Sequence, residues 1–226
     1  MTLIGERLRL ARQLIERIDI VRGDRATPCF VALDGRSGSG KSTLAASVAR
    51  LFDASPTGER IVTVIGGDDF YAGGSAQRWD ERTPIERASQ VIDWRRPREV
   101  LETLRATGRA EWHPFDWDAD DWDTDIVPLR REPLHCTVTP VVLLEGAYSA
   151  RPELHDLLDL RVLLDTPTDL RLRRLLAREG ETYQADWSAR WSGAEDHYFG
   201  AVMPRQHFDL VLTPAADDAQ PVTFAP

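Results

Sequence analysis

Residues 35–42 read Gly-Arg-Ser-Gly-Ser-Gly-Lys-Ser, the spacing G-x-x-x-x-G-K-[ST]. Small residues at Gly35, Ser37, Gly38, Ser39 and Gly40 let successive backbone N–H groups close around phosphate oxygens. Lys41 would then lie against the β- and γ-phosphates, standing exposed in an empty loop. The Ser42 hydroxyl, followed by Thr43, would face Mg²⁺. The pattern implies a nucleoside triphosphate, and further along the chain come residues suited to its chemistry. Asp68, Asp69 and Glu145 offer carboxylates for Mg²⁺ and for a general base. Arg171, Arg174 and Arg178 recur at i, i+3 and i+7, so on a helix they share one face while Arg173 points elsewhere. Such a stripe either closes as a lid over developing phosphate charge or forms a solvated face with Glu179 as local partner.

These groups must be held by regular elements. Cys29–Leu33 is apolar and partly β-branched, as a buried strand should be, and after the loop Leu44, Val48 and Leu51 fall on one helical face. Strand, glycine-rich turn and helix therefore occur in the order that puts an anion at a helix N-terminus. Further strands are expected at 60–66, 141–144, 160–164 and 208–212, with helices near 97–107, 152–158, 167–180 and 186–200. Short apolar strands alternating with helices predict an α/β fold: a doubly wound, five-stranded parallel sheet with helices on both faces. In such a sheet ligands bind beyond the carboxyl ends of the strands, where the loop, Asp68 and Glu145 all fall. Residues 1–27 read as an N-terminal amphipathic helix, 28–214 as one domain with a substrate-binding insertion at about 67–140, and 215–226 as a loosely ordered tail.

Composition narrows the partners. The 226 residues carry a net charge of −9, which disfavours nucleic acid and anionic membranes. The first residues interrupt their apolar positions with charges, unlike a secretory signal, and no run approaches transmembrane length. Two cysteines, Cys29 in a strand and Cys136 in a loop, are too few for a disulfide framework, and five scattered histidines lack zinc-ligand spacing. A cytoplasmic protein acting on a small molecule is the expectation.

Together these features resemble the uridine kinase branch of the P-loop nucleoside and nucleotide kinases, over most of residues 28–213. Asp68-Asp69-Phe70-Tyr71 is similar to that family's D-S-F-Y segment, which implies Asp68 as the base toward the acceptor hydroxyl. Leu144-Glu145-Gly146 looks like its E-G segment, implying Glu145 as a Mg²⁺ ligand beside Ser42 and Asp68. Asp165–Arg174 resembles the opening of its lid. Ile92-Asp93-Trp94 stands where the family has a sugar-contacting phenylalanine-aspartate-histidine, implicating Asp93 with Tyr71 in the acceptor pocket.

One departure bears on the acceptor. Where a uridine kinase has Y-D-F followed three residues later by histidine, this chain has Phe115-Asp116-Trp117 followed by Asp120. A site built to hydrogen-bond a pyrimidine edge discriminates through buried polar groups, so their replacement argues against uridine and cytidine. Asp116, Asp118, Asp120, Asp121, Asp123 and Asp125 have no basic residue among them and alternate with Trp117 and Trp122. They either face solvent or favour an amine-bearing acceptor. Glu195, near Trp191 and His197, is either a further pocket residue or an exposed helix position. The implied activity is ATP-dependent transfer of a phosphoryl group to a hydroxyl of a nucleoside-like metabolite. The alternatives are a cationic natural product, a pantothenate-like acid or another sugar alcohol as acceptor, or a nucleotide-hydrolysing switch with no acceptor.

Overall fold

The computed structural model describes residues 3–54, 61–119, 127–180 and 185–215. Its strands are β1 (Cys29–Asp34), β2 (Val62–Gly66), β3 (Arg109–Trp112), β4 (Leu134–Thr137), β5 (Val141–Glu145), β6 (Leu160–Leu164) and β7 (Leu210–Leu212). Its helices are α1 (Leu3–Arg22), α2 (Lys41–Asp53), α3 (Ala76–Asp80), α4 (Pro84–Gln90), α5 (Arg95–Thr107), α6 (Thr168–Glu179) and α7 (Ala185–His197). Five strands form one sheet in the order β2-β5-β1-β6-β7, every neighbouring pair parallel.

Both faces of that sheet are covered, which is why its strands read as unbroken apolar runs. Cys29, Val31 and Leu33 of β1 pack with Leu10, Leu14 and Ile18 of α1 and with Leu44 and Val48 of α2. Phe30 and Ala32 lie in the core on the opposite face, with Leu101 and Leu104 of α5. The β1 register places Val31 beside Leu143 on one side and Leu160 on the other, so the phosphate-loop strand is central and cannot tilt alone.

The stretch from 67 to 140 holds more regular structure than expected. α3, α4 and α5 lie there, and α4 is started by a reciprocal Thr83–Glu86 capping box with Pro84 in its first turn. β3 and β4 form a separate antiparallel ribbon, so Cys136 is in a strand and not in a loop. These strands are four residues each, and β3 alternates exposed Arg109 and Glu111 with buried Ala110 and Trp112. That is too short a run for its period to stand out. The expected helix at 152–158 is a 3₁₀ turn, Pro152–Leu157, and α7 gives way to a π-helical turn at Tyr198–Val202. Residues 216–226, most of the expected tail, lie outside the described residues.

Candidate functional site

β1 ends on Asp34, the loop runs through Gly35–Gly40, and α2 begins at Lys41. The first turn of α2 carries no acidic residue and Gly40 supplies no side-chain cap, so its leading N–H groups and positive dipole end are presented to an anion. Ser42 and Thr43 are exposed there. Lys41 is not exposed as the sequence had implied. Its side chain folds back over the loop, and Nζ donates to the carbonyls of Gly35 at 2.8 Å and Arg36 at 3.2 Å. An ammonium carries three donors and no acceptor, and here the loop's own carbonyls take two of them.

Strand order brings the carboxylates to this edge. Glu145 is level with Leu33 of β1 and with Gly66 of β2, so three strand ends finish side by side. Burial pushes the Glu145 carboxyl upward from its ordinary range, opposed by the Lys41 charge and by a hydrogen bond with Ser42, while Asp68 and Asp69 add to the rise. The two aspartates, in the 3₁₀ turn Gly67–Phe70, are used differently. Asp69 accepts from Trp112 Nε1 at 2.9 Å, and burial raises its carboxyl. Asp68 is exposed. Among the described residues no cluster of three or more His, Cys, Asp or Glu could hold a metal ion by itself. A hydroxyl bonded to one carboxylate, with a second carboxylate close by, fits Mg²⁺, which takes one or two carboxylates and completes its octahedron with phosphate oxygens and water.

The arginine stripe lies on the loop. Beyond β6, Thr166 Oγ1 donates to the Ser39 carbonyl at 2.9 Å. From α6, Arg171 Nη1 reaches the Ser37 carbonyl at 3.0 Å and Arg174 Nη1 the Ser39 carbonyl at 2.9 Å. Arg171 is buried, and its Nε has no partner among the described residues. Arg178 is exposed in the last turn of α6. Glu195 meets the same loop from α7: its Oε1 accepts from the Ser37 N–H at 2.7 Å, and its Oε2 stands 3.8 Å from Arg171. It is therefore buried against the phosphate loop and is not the exposed helix position that was one of its two readings.

The acceptor-side residues cluster beyond Asp68. Tyr71 is buried among rings, stacked on Trp117 at 5.1 Å and met edge-on by Phe115 at 4.9 Å. Tyr71 bridges to Ile92, and the Asp93 N–H donates to the Phe70 carbonyl at 2.9 Å, which holds Asp93 beside the aspartate turn. Tyr71, Asp93, Trp94, Arg95 and Arg96 help line a cavity of about 290 Å³. Asp116 and Asp118, which the sequence left without a cation, stand 3.8 and 3.1 Å from Arg130. Asp120, Asp121, Trp122, Asp123 and Asp125 lie outside the described residues.

A family model described as "Phosphoribulokinase / Uridine kinase family" matches residues 30–205. The chain belongs to this family. The uridine kinase of Halobacterium salinarum is 24% identical over 202 residues, covering 84% of this chain and 82% of the relative. That of Clostridium tetani is 27% identical over 156 residues, 67% of this chain and 68% of the relative. A solved structure described as a possible uridine kinase, from Bacillus stearothermophilus, superposes with a TM-score of 0.61 at 20% identity, covering 88% and 99% of the two chains, and shows the shared fold. The chain is thus a uridine-kinase-like P-loop kinase, an ATP-dependent phosphotransferase with a hydroxyl acceptor. Among the described residues no helix is long and apolar enough to cross a membrane.

Within this family frame, sequence reasoning passed over Asp34, Arg95 and Arg96. Asp34 had a visible signal, a carboxylate closing an otherwise apolar strand directly before Gly35. The two arginines open α5 and become pocket residues only through the Tyr71–Ile92 bridge, which no local pattern announces.

Proposed function

We propose that this kinase phosphorylates a hydroxyl of a nucleoside-like metabolite, with Asp68 as general base and Ser42, Glu145 and Asp68 as the Mg²⁺ ligands. The observation that carries the reading is the level register of Gly66, Glu145 and Leu33, since it gathers the aspartate turn, the Glu145 turn and the phosphate loop at one sheet edge. Asp68 takes the proton of the acceptor hydroxyl as the oxygen attacks. Lys41, Arg171, Arg174 and Arg178 offset charge on the transferred group, which is most of what phosphoryl transfer asks of a protein. Mg²⁺, when bound, neutralises charge across the β- and γ-phosphates. Gly35–Thr43 hold the triphosphate. Tyr71, Asp93, Phe115, Asp116 and Trp117 shape the acceptor side.

A second acceptor class has specific support. Arg95 and Arg96 border the same cavity as Asp93, which suits a carboxylate-bearing, pantothenate-like acceptor. The cationic acceptor loses ground, because Arg130 already faces Asp116 and Asp118. A panel of nucleosides, polyols and hydroxy acids with labelled ATP tests these readings. Uridine and cytidine should be poor acceptors. A kcat/KM for uridine on the order of 10⁴ M⁻¹s⁻¹ or more, usual for an enzyme on its own substrate, would refute the inference from Phe115 and Asp120. ADP release that no acceptor accelerates would favour the switch.

A further inference from the structure

Asp34 is fully buried, and each of its oxygens accepts two hydrogen bonds. Oδ1 takes the N–H groups of Gly35 at 2.7 Å and Tyr148 at 3.0 Å. Oδ2 takes the Ala150 N–H at 2.9 Å and the Tyr198 hydroxyl at 2.8 Å. The four donors come from three separate parts of the site: the entry to the phosphate loop, the turn that follows Glu145, and the π-helical end of α7. We propose that Asp34 is a positioning residue for phosphoryl transfer, holding the phosphate loop and the Glu145 turn at the separation that lets Lys41 and Glu145 act on one triphosphate.

The bonds lead outward to the reacting groups on both sides. The Gly35 residue that donates to Asp34 gives its own carbonyl to Lys41 Nζ at 2.8 Å. On the other side, Tyr148 and Ala150 close the turn that begins at Glu145, and Glu145 senses the Lys41 charge and bonds Ser42. This second turn is not relaxed. Tyr148 has φ of 69°, the only non-glycine positive value among the described residues. A left-handed residue persists only where its surroundings over-determine it, and here its N–H is held by Asp34 while its ring packs on that of Tyr198 at 4.8 Å. Tyr198 is also three residues beyond Glu195, which holds the Ser37 N–H, so the end of α7 grips the loop at both its entry and its outer bend.

Four converging donors call for a group that only accepts. Asparagine at this position has the same shape but turns one accepting atom into a donor facing donors. The turns then drift apart, and a displacement of an ångström costs turnover far more than it costs binding.

The proposal rests on the assignment of Lys41 and Glu145 to phosphate handling, and the test separates the two. Asp34→Asn, Tyr198→Phe, Glu145→Gln and the Asp34→Asn/Glu145→Gln double variant are compared by melting temperature, by Kd for ADP, and by ADP release from ATP with water as acceptor. Asp34→Asn should lower kcat roughly 10-fold or more while KM for ATP and Kd for ADP change less than about 3-fold, and Tyr198→Phe should show the same split more weakly. The double variant should be no slower than Glu145→Gln, because position ceases to matter once the group is gone. Equal fractional losses from Asp34→Asn in both backgrounds, or a kcat that changes only in step with the folded fraction, would overturn the proposal alone. If Asp34→Asn does not fold, an unaltered kcat in folded Tyr198→Phe overturns it. Unchanged turnover in Glu145→Gln would overturn the reading of the site, and the proposal with it.

Discussion

Replacing Gly38 by alanine should separate the lid from the phosphate loop. Gly38 has φ of +75°, and a Cβ there would fall 2.6 Å from the backbone oxygen of Arg171 and 2.9 Å from Leu175 Cγ. Two costs add: about 1–2 kcal/mol for an L side chain in the left-handed region and about 1–3 kcal/mol for overpacking. Gly23→Ala is the control, since Gly23 has φ of +51° with nothing within 4 Å of where its Cβ would stand, and it should show the first cost only. At roughly 2–4 °C per kcal/mol for a chain of this size, Gly38→Ala should melt several degrees below the control. The loss should not stop at stability. The obstructing atom is a main-chain carbonyl within α6, so relief requires the helix to shift as a unit, carrying Arg171 off the Ser37 carbonyl and Arg174 off the Ser39 carbonyl. Turnover, followed as ADP release, should therefore fall by up to about 10²-fold, the scale of a misplacement near an ångström. If Gly38→Ala matches Gly23→Ala in both melting temperature and turnover, α6 does not rest on the loop in solution.

Lys41→Ala removes both a phosphate-facing charge and the brace on Gly35 and Arg36; turnover should drop by roughly 10²–10³-fold with a small fall in melting temperature, and retained turnover would sink its assigned role. Asp68→Asn should lower kcat by about 10²-fold with the fold intact, whereas Asp69→Asn, whose oxygen can still accept from Trp112, should be the milder change; the reverse order would transfer the base to Asp69. Glu195→Gln should leave KM for the acceptor unchanged and tighten ADP binding a few-fold, because it keeps an acceptor for the Ser37 N–H while removing negative charge beside Arg171; a raised acceptor KM would show that Glu195 also serves the acceptor pocket. Burial pushes the Cys29 thiol up to about 11, so at pH 8 it stays protonated; native protein should be alkylated at half-buried Cys136 alone and unfolded protein at both, with double labelling under native conditions refuting the buried β1.

What was legible in the chain follows from what local pattern can carry. The five sheet strands could be read because burial on both faces makes each an apolar run, and the phosphate loop because its glycines and lysine must stand together. The order of those strands is a pairing property, and only that order puts Glu145 between the loop and Asp68. The acidic segment misled for a related reason. Arg130 lies well beyond the last aspartate in sequence, yet the Phe115–Leu129 bridge, with the Arg130 N–H on the Pro114 carbonyl at 2.9 Å, folds it back beside Asp116 and Asp118. Counting charges within a window cannot anticipate a chain that returns on itself.

The loop's own peptide groups give the arginines a role before any phosphate arrives. Each peptide points its carbonyl and N–H in opposite directions, so whatever holds the carbonyls outward turns the amides inward. Lys41 takes the carbonyls of Gly35 and Arg36, Arg171 that of Ser37, and Arg174 and Thr166 that of Ser39. The cations that would neutralise a triphosphate thus also orient the dipoles that cradle it, and preorganised dipoles cost no reorganisation when charge develops. The amides of Ser37 and Ser39 are exceptions. The Ser37 N–H is committed to Glu195 and the Ser39 N–H to the Arg36 carbonyl at 3.1 Å, while Gly38 between them is the residue whose Cβ-less backbone lets α6 lie close enough for the arginines to reach.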